Sequence, residues 1–146
     1  MTSPDPSRSV DAETLRYLGR AFGRRPEVRH TSVFASNKLE SLVVALDTDY
    51  YPEDINDVSI ELRAYTNGDF HVSYLESRSG ERRQCRWDRH DQPHNTRDHF
   101  HPLPDASTAA AVNQSYAPDL TRVVGEAVLP WVDDRVGELW ESTGTD

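Results

Sequence analysis

VSIELRAYTNGDFHVSY, residues 58–74, alternates apolar and polar side chains on either side of an Asn-Gly pair. Val58, Ile60, Leu62 and Ala64 fall on one face of an extended chain, and Ser59, Glu61, Arg63 and Tyr65 on the other. Asn67-Gly68 signals a hairpin, because the left-handed backbone of such turns costs Gly nothing and Asn little. A two-residue loop would pair Leu62 with Ser73 and mix the faces. A three-residue loop with a bulge at Gly68 pairs Leu62 with Val72 and Ile60 with Tyr74, and keeps Phe70, Val72 and Tyr74 on the apolar side. The second register is predicted, since a slip of one residue would turn the whole apolar set outward.

Ser79-Gly80 turns the chain again, into a predicted strand Glu81–Asp88 with Arg83, Cys85 and Trp87 on one face and Arg82, Gln84, Arg86 and Asp88 on the other. Upstream, Val28–Ala35 and Leu39–Asp47 read as two strands around Ser36-Asn37-Lys38. The second is apolar on both faces, which suits a central strand. Before them, Leu15, Leu18 and Phe22 recur at helical spacing. Asp11 is placed to cap this helix, Gly23 to end it and Pro26 to forbid its return. Met1–Val10 is polar, with two prolines, and reads as a disordered arm.

Downstream, Ala106–Ala117 reads as weak helix or coil. From Pro118, the residues Leu120, Val123, Val124, Ala127 and Val128 form a helical stripe. Pro130 is predicted to kink or split it, and Val132, Val136, Leu139 and Trp140 continue on a shifted phase. Strands grouped together with helices before and after give an α+β fold. The expectation is one domain over residues 11–143, with an antiparallel sheet of about five strands, an N-terminal helix and a C-terminal, Pro-interrupted helix.

Composition narrows the setting. The 146 residues carry a net charge of −9, with one lysine against fifteen arginines and fifteen aspartates against ten glutamates. An Asp-rich, Lys-poor surface resembles that of proteins from salt-in halophiles, where excess negative charge keeps a protein soluble at high salt. Residues 78–101 depart from this: six arginines and four acidic groups make them +2, against −11 for the rest. A single cysteine, Cys85, excludes an intramolecular disulfide and a Cys-based zinc motif. No apolar run approaches the ~20 residues of a membrane span, and no signal-peptide pattern opens the chain. A cytoplasmic archaeal protein is expected.

The chemistry concentrates in Arg86–Pro104, RWDRHDQPHNTRDHFHPLP. Four of the six histidines lie here (His90, His94, His99 and His101), among Asp88, Asp91 and Asp98 and Arg86, Arg89 and Arg97. Three prolines and no glycine suggest a stiff, irregular loop. Three readings compete. In metal-independent RNA cleavage, histidines that titrate near neutrality serve as base and acid. His94, His99 and His101 would fill those parts, with Asp88 or Asp98 orienting an imidazole. Arg86, Arg89 and Arg97 would fork onto the phosphate, and Trp87 or Phe100 would stack a base. In a metal site, His99-x-His101 points two rings the same way, and His90 or His94 with an aspartate would complete the set. In the third reading, histidines and aspartates only pin the loop to the sheet.

A family carries this order of residues. The hairpin, Arg86-Trp87-Asp88, Pro93-His94, His99-Phe100-His101 and a closing helix together resemble the TumE-type toxins, the toxin half of type II toxin–antitoxin pairs. There the loop runs roughly Tyr/Trp-Asp-Asn-Ala-Pro-His-His, then Pro-His-His-x-His. The segment is also similar to that of uncharacterised haloarchaeal proteins carrying WDRHxxPHNxRDHFHP. Asp88, Pro93, His94, His99 and His101 match the toxin pattern. Asp88 stands two residues further from Pro93, Asn95 replaces the second histidine, and Arg97-Asp98 replaces the Pro-His before His99. The resemblance implies a small toxic protein acting on RNA or translation and silenced by an antitoxin. The expected function is thus a toxin-like RNA-targeting protein or metal-independent ribonuclease with no required cofactor. A non-catalytic module that binds nucleic acid, protein or metal is the alternative.

Overall fold

In the computed structural model, which describes residues 9–34, 40–90 and 97–144, the 58–74 stretch folds as β3 (Ile55–Ala64) and β4 (Phe70–Arg78). Leu62 faces Val72 and Ile60 faces Tyr74, the register that the apolar alternation demands. Gly68 takes φ +92° at the bulge, a conformation that favours glycine. The second turn is tighter. Ser79 (φ 49°) and Gly80 (φ 83°) join Arg78 directly to Glu81 and start β5 (Glu81–Arg89).

The chain otherwise runs in order through α1 (Ala12–Gly23), β1 (Val28–Phe34) and β2 (Ser41–Leu46), then, after β5, β6 (Asp98–His101) and β7 (Val112–Asn113). It closes with α2 (Leu120–Val123), a π-helical turn Val124–Val128 and α3 (Leu129–Gly144). Among the described residues seven strands form one antiparallel sheet, in the order β1-β2-β3-β4-β5-β6-β7. Asp11 caps α1, accepting from the Thr14 N–H at 3.1 Å.

One expectation needs correction. The sheet has seven strands rather than about five, because part of the predicted loop after Arg89 is strand β6, and a two-residue β7 lies within the stretch read as weak helix or coil. The alternation in β6 is carried by Asp98 and Phe100 against His99 and His101, so no apolar pattern announces it. Val10 bridges Tyr65, and the Ser9 carbonyl accepts from Thr66 N at 2.8 Å, while residues 1–8 lie outside the described set.

One face of the sheet carries the core. Leu42, Val44, Ile60, Leu62, Val72, Tyr74, Cys85 and Trp87 are buried beneath α1 (Leu15, Leu18, Phe22) and the C-terminal helical segment (Val123, Val128, Val132, Leu139). Pro130 is accommodated without ending the segment. The Leu129 N–H bonds the Val124 carbonyl five residues back, and the wide turn re-phases the stripe before a residue that has no N–H to give. Beneath α3, Glu76 accepts from the Tyr74 hydroxyl at 2.7 Å and from the Arg135 guanidinium, so the buried carboxylate is satisfied. Burial, with the Glu76 charge, pushes the neighbouring Tyr51 hydroxyl up to about 12, against a hydrogen bond to Tyr74 and the Arg135 charge. Among the described residues, no helix is long and apolar enough to cross a membrane.

The alternate residues of β3, β4 and β5, such as Glu61, Arg63, His71, Ser73, Arg86 and Asp88, form the opposite face, away from the helices. That polar face holds the candidate site.

Candidate functional site

Register alone assembles the site. The two-residue turn at Ser79-Gly80 sets His71 opposite Asp88 and Ser73 opposite Arg86. On the far side of β5, Asp88 faces His99 and Arg86 faces His101, and β7 sets Asn113 against His99. On the near side Arg63 faces His71 and Glu61 faces Ser73. Five strands thus place Arg63, His71, Asp88, His99 and Asn113 in one row. Glu61, Ser73, Arg86 and His101 stand in the next.

Asp88 is the centre. Its side chain is almost fully enclosed, with the residue 1% exposed. Oδ1 lies 2.7 Å from His71 Nδ1, and Oδ2 lies 2.8 Å from Arg86 Nε and 3.0 Å from His101 Nε2. Burial works to raise the pKa of this carboxyl. Hydrogen bonds from His71 and Arg86, with the guanidinium charge, outweigh burial and hold it below the usual range. The group is therefore a carboxylate near neutral pH.

Four imidazoles follow one another across this face. The His71 and His90 ring centroids are 5.9 Å apart, His90 and His99 5.9 Å, and His99 and His101 6.4 Å. Their surroundings differ. His71 gives Nδ1 to Asp88 and keeps its other edge at a side chain 30% exposed. His101 has acceptors at both nitrogens, Asp88 at one and the Ser107 carbonyl at 3.3 Å from the other. With both nitrogens engaged, it has none left for a substrate and serves to hold the carboxylate. The turn that brings Ser107 over it passes through Ala106 at φ 55°, a left-handed position that costs an alanine of order 1–2 kcal/mol.

Two hollows meet at Arg86. One, of about 410 Å³, is floored by Asp88, His90, His99 and His101 and walled by Thr108 and Asn113. The other, of about 300 Å³, is formed by Glu61, Arg63, His71 and Ser73. Arg86 lines both. Its Nε is anchored on Asp88, which leaves the terminal nitrogens of a side chain 35% exposed to reach an anion.

The residues singled out from sequence do not all gather here. Asp88, His99, His101 and Arg86 do. His94 lies outside the described residues. Asp98 is held by Arg89 in a two-pronged pair at 2.8 and 2.9 Å. Arg89 is 6% exposed and also donates to the carbonyls of Pro118 and Tyr116, so it clamps the chain. Trp87 lies on the same side of β5 as Arg89. It points to the core, 3% exposed, with Phe100 and Trp131 rings 5.4 and 5.5 Å away, and offers no face to a base. Arg97 donates to the Asn67 carbonyl and to Asp69 at the β3–β4 turn.

His71 is the residue that sequence reasoning missed, and the signal for it was present. Once Ser79-Gly80 is read as a two-residue turn, the pairing of residue 71 with residue 88 follows by counting. His90 was visible among the clustered histidines but was not assigned to catalysis. Its place between His71 and His99 depends on the β5–β6 pairing.

Among the described residues, no group of three or more His, Cys, Asp or Glu side chains is arranged to hold a metal ion. His99 and His101 do project from the same face of β6, with their rings tilted at 56° to each other, beside a carboxylate that is already taken up by His71 and Arg86.

The family model described as Toxin TumE matches residues 18–136, from α1 to the middle of α3. No curated protein and no solved structure matches the chain.

Proposed function

The chain belongs to the TumE toxin family, and from that premise we propose that it is an RNA-targeting toxin that cleaves RNA without a metal, using the polar face around Asp88. One observation carries the reading. A carboxylate 1% exposed holds two imidazoles and a guanidinium on the face of the sheet away from the helices. Desolvating such a group is costly. The apolar face already provides the packing that the fold requires, so the cluster is explained by what it presents to a ligand.

The parts follow from geometry. His71, oriented through Nδ1 by Asp88, offers Nε2 as the base that takes the proton of a ribose 2′-OH. The freed oxygen attacks the adjacent phosphorus while Arg86 neutralises the phosphate. As the bond to the 5′ oxygen breaks, that oxygen receives a proton from the His90–His99 pair, leaving a 2′,3′-cyclic phosphate. The rings of that pair lie 5.9 Å apart, and His90 lies 5.9 Å from the base. His101 keeps Asp88 in place. Halophily and a cytoplasmic site of action are part of the same proposal, as is an antitoxin partner.

The test is RNA cleavage by purified protein, at low and at molar KCl, with and without EDTA, beside His71→Ala and His99→Ala. Cleavage that survives EDTA and is lost in His71→Ala supports the reading. Cleavage abolished by EDTA moves the chemistry to a metal. RNA binding without turnover in wild type and both variants makes the protein a binding module.

A further inference from the structure

We infer that the site takes single-stranded RNA across the strands, one nucleoside on each side of Arg86, with Asn113 contacting the base on one side and Arg63 the next phosphate on the other. This rests on the reading of the polar face as an RNA site and names the form of RNA that it admits.

The argument starts from the two hollows. They share Arg86 and no other residue among those that line them. A phosphate on Arg86 therefore has space on both sides, about 410 Å³ towards β7 and about 300 Å³ towards β3. From β3 to β7 the row crosses four strand spacings, about 19 Å at the usual ~4.8 Å each. A single nucleotide would leave one hollow unfilled.

Burial excludes a duplex. The groups at the bottom of the larger hollow are enclosed: Asp88 is 1% exposed, His101 6% and His99 7%. In an A-form duplex the bases stay stacked inside and the backbone is convex, so a leaving oxygen beside a phosphate on Arg86 cannot descend to His99. Unstacked nucleotides of a single strand can be splayed into such recesses and bonded along their base edges.

The two ends differ in chemistry. At the β7 end, Asn113 is exposed and stands opposite His99, and its carboxamide has both donors and an acceptor for a base edge. Thr108 adds a hydroxyl, and Ala111 leaves room beside it. At the β3 end, Arg63 is 54% exposed and leans on Glu61 at 3.4 Å. Its guanidinium is free to turn to a phosphate, while Glu61 and Ser73 offer acceptors to a ribose hydroxyl or a base amino group. One end thus contacts a base and the other tracks the backbone.

The experiment uses the full chain and RNA that cannot be cleaved, so that binding is read apart from chemistry. Fluorescence anisotropy is measured with 2′-O-methyl hexanucleotides of A, C, G and U, single-stranded or as duplex, across a salt series. Single strands are expected to bind at least about ten-fold tighter than duplex. A dinucleotide should compete at least about ten-fold better than a mononucleotide. Arg63→Ala should flatten the salt dependence by about 0.7 in log–log slope, the value for one phosphate on a single strand. Asn113→Ala should level the preference among the four bases and leave that slope unchanged. Equal binding of duplex, equal competition by a mononucleotide, or an unchanged slope in Arg63→Ala would overturn the assignment. If these binding results hold while no RNA is cleaved, the catalytic reading fails and the seating of the strand stands. If RNA is cleaved but duplex binds as well as single strand, the reverse is true.

Discussion

His71 Nδ1 meets Asp88 Oδ1 at 2.7 Å across the β4–β5 pair, and the other oxygen of the same carboxylate takes Arg86 and His101. All three partners approach Asp88 through nitrogen. Replacing Asp88 by Asn keeps the shape but sets an amide NH₂ against groups that were donating to oxygen. Asp88→Asn is expected to lower RNA cleavage by about 10²–10⁴-fold, the range for a mispositioned general base. Stability should fall by about 1–3 kcal/mol, from the bonds left unmade. Single-turnover cleavage beside a urea titration checks both. A loss of stability with cleavage intact would reduce the cluster to a structural pin.

Arg86 gives Nε to Asp88 and lines both hollows, an arrangement that a lysine cannot reproduce. Lysine has one ammonium, which can pair with Asp88 or reach a phosphate but is poorly shaped to do both. Arg86→Lys is therefore expected to lose at least about ten-fold in cleavage. Its stability should stay within about 1 kcal/mol of wild type, since the side chain is 35% exposed. Activity near wild type in Arg86→Lys would remove Arg86 from phosphate binding.

On the opposite face, Arg89 and Asp98 have side chains only 8% and 12% exposed, and Arg89 also satisfies the carbonyls of Tyr116 and Pro118. Arg89→Met takes the guanidinium away from a buried carboxylate, which keeps the Tyr116 N–H, and from two carbonyls. It should destabilise the protein by about 3–5 kcal/mol. Arg89→Met with Asp98→Leu should recover part of that loss, because the unpaired charge goes with it. The urea midpoint of each variant gives the measurement. A single variant as stable as wild type would show that water replaces the guanidinium.

The regular strands were legible because their apolar residues alternate. Leu62 against Val72 and Ile60 against Tyr74 followed from residues 58–74, and the helix capped by Asp11 from Leu15, Leu18 and Phe22. β6 was not legible. Its order comes from Asp98 on Arg89 and His101 on Asp88, contacts between residues far apart in the pattern that local periodicity does not register. The same limit explains the candidate site. Asp88, Arg86, His99 and His101 stood out as residue types, and the alternation of residues 81–88 already set Trp87 opposite Arg86 and Asp88, but it did not say which of the two faces the helices cover. Trp87 and Arg89 alternate with Arg86 and Asp88 along β5, and so point into the core or clamp the chain. His71 sat in a strand that read as ordinary until its partner across the hairpin was counted.

Acid should expose the two buried carboxylates together. Burial works to raise the pKa of Asp98, but hydrogen bonds from Arg89 and the Tyr116 N–H outweigh it, and the net shift is downward, as it is for Asp88. Both groups bind a proton more weakly in the folded chain than in the unfolded one, where the usual value is about 3.9. Their stabilisation is therefore complete above that value and is lost as pH falls below it, through the lower folded pKa. Unfolding free energy from urea titrations should hold steady from pH 7 to 5, as far as these two groups are concerned, and decline steeply below pH 4. Asp98→Asn should be less stable at pH 6 and decline less steeply. Parallel curves for wild type and Asp98→Asn below pH 4 would mean that Asp98 titrates alike in both states and that its pairing with Arg89 does not survive in solution.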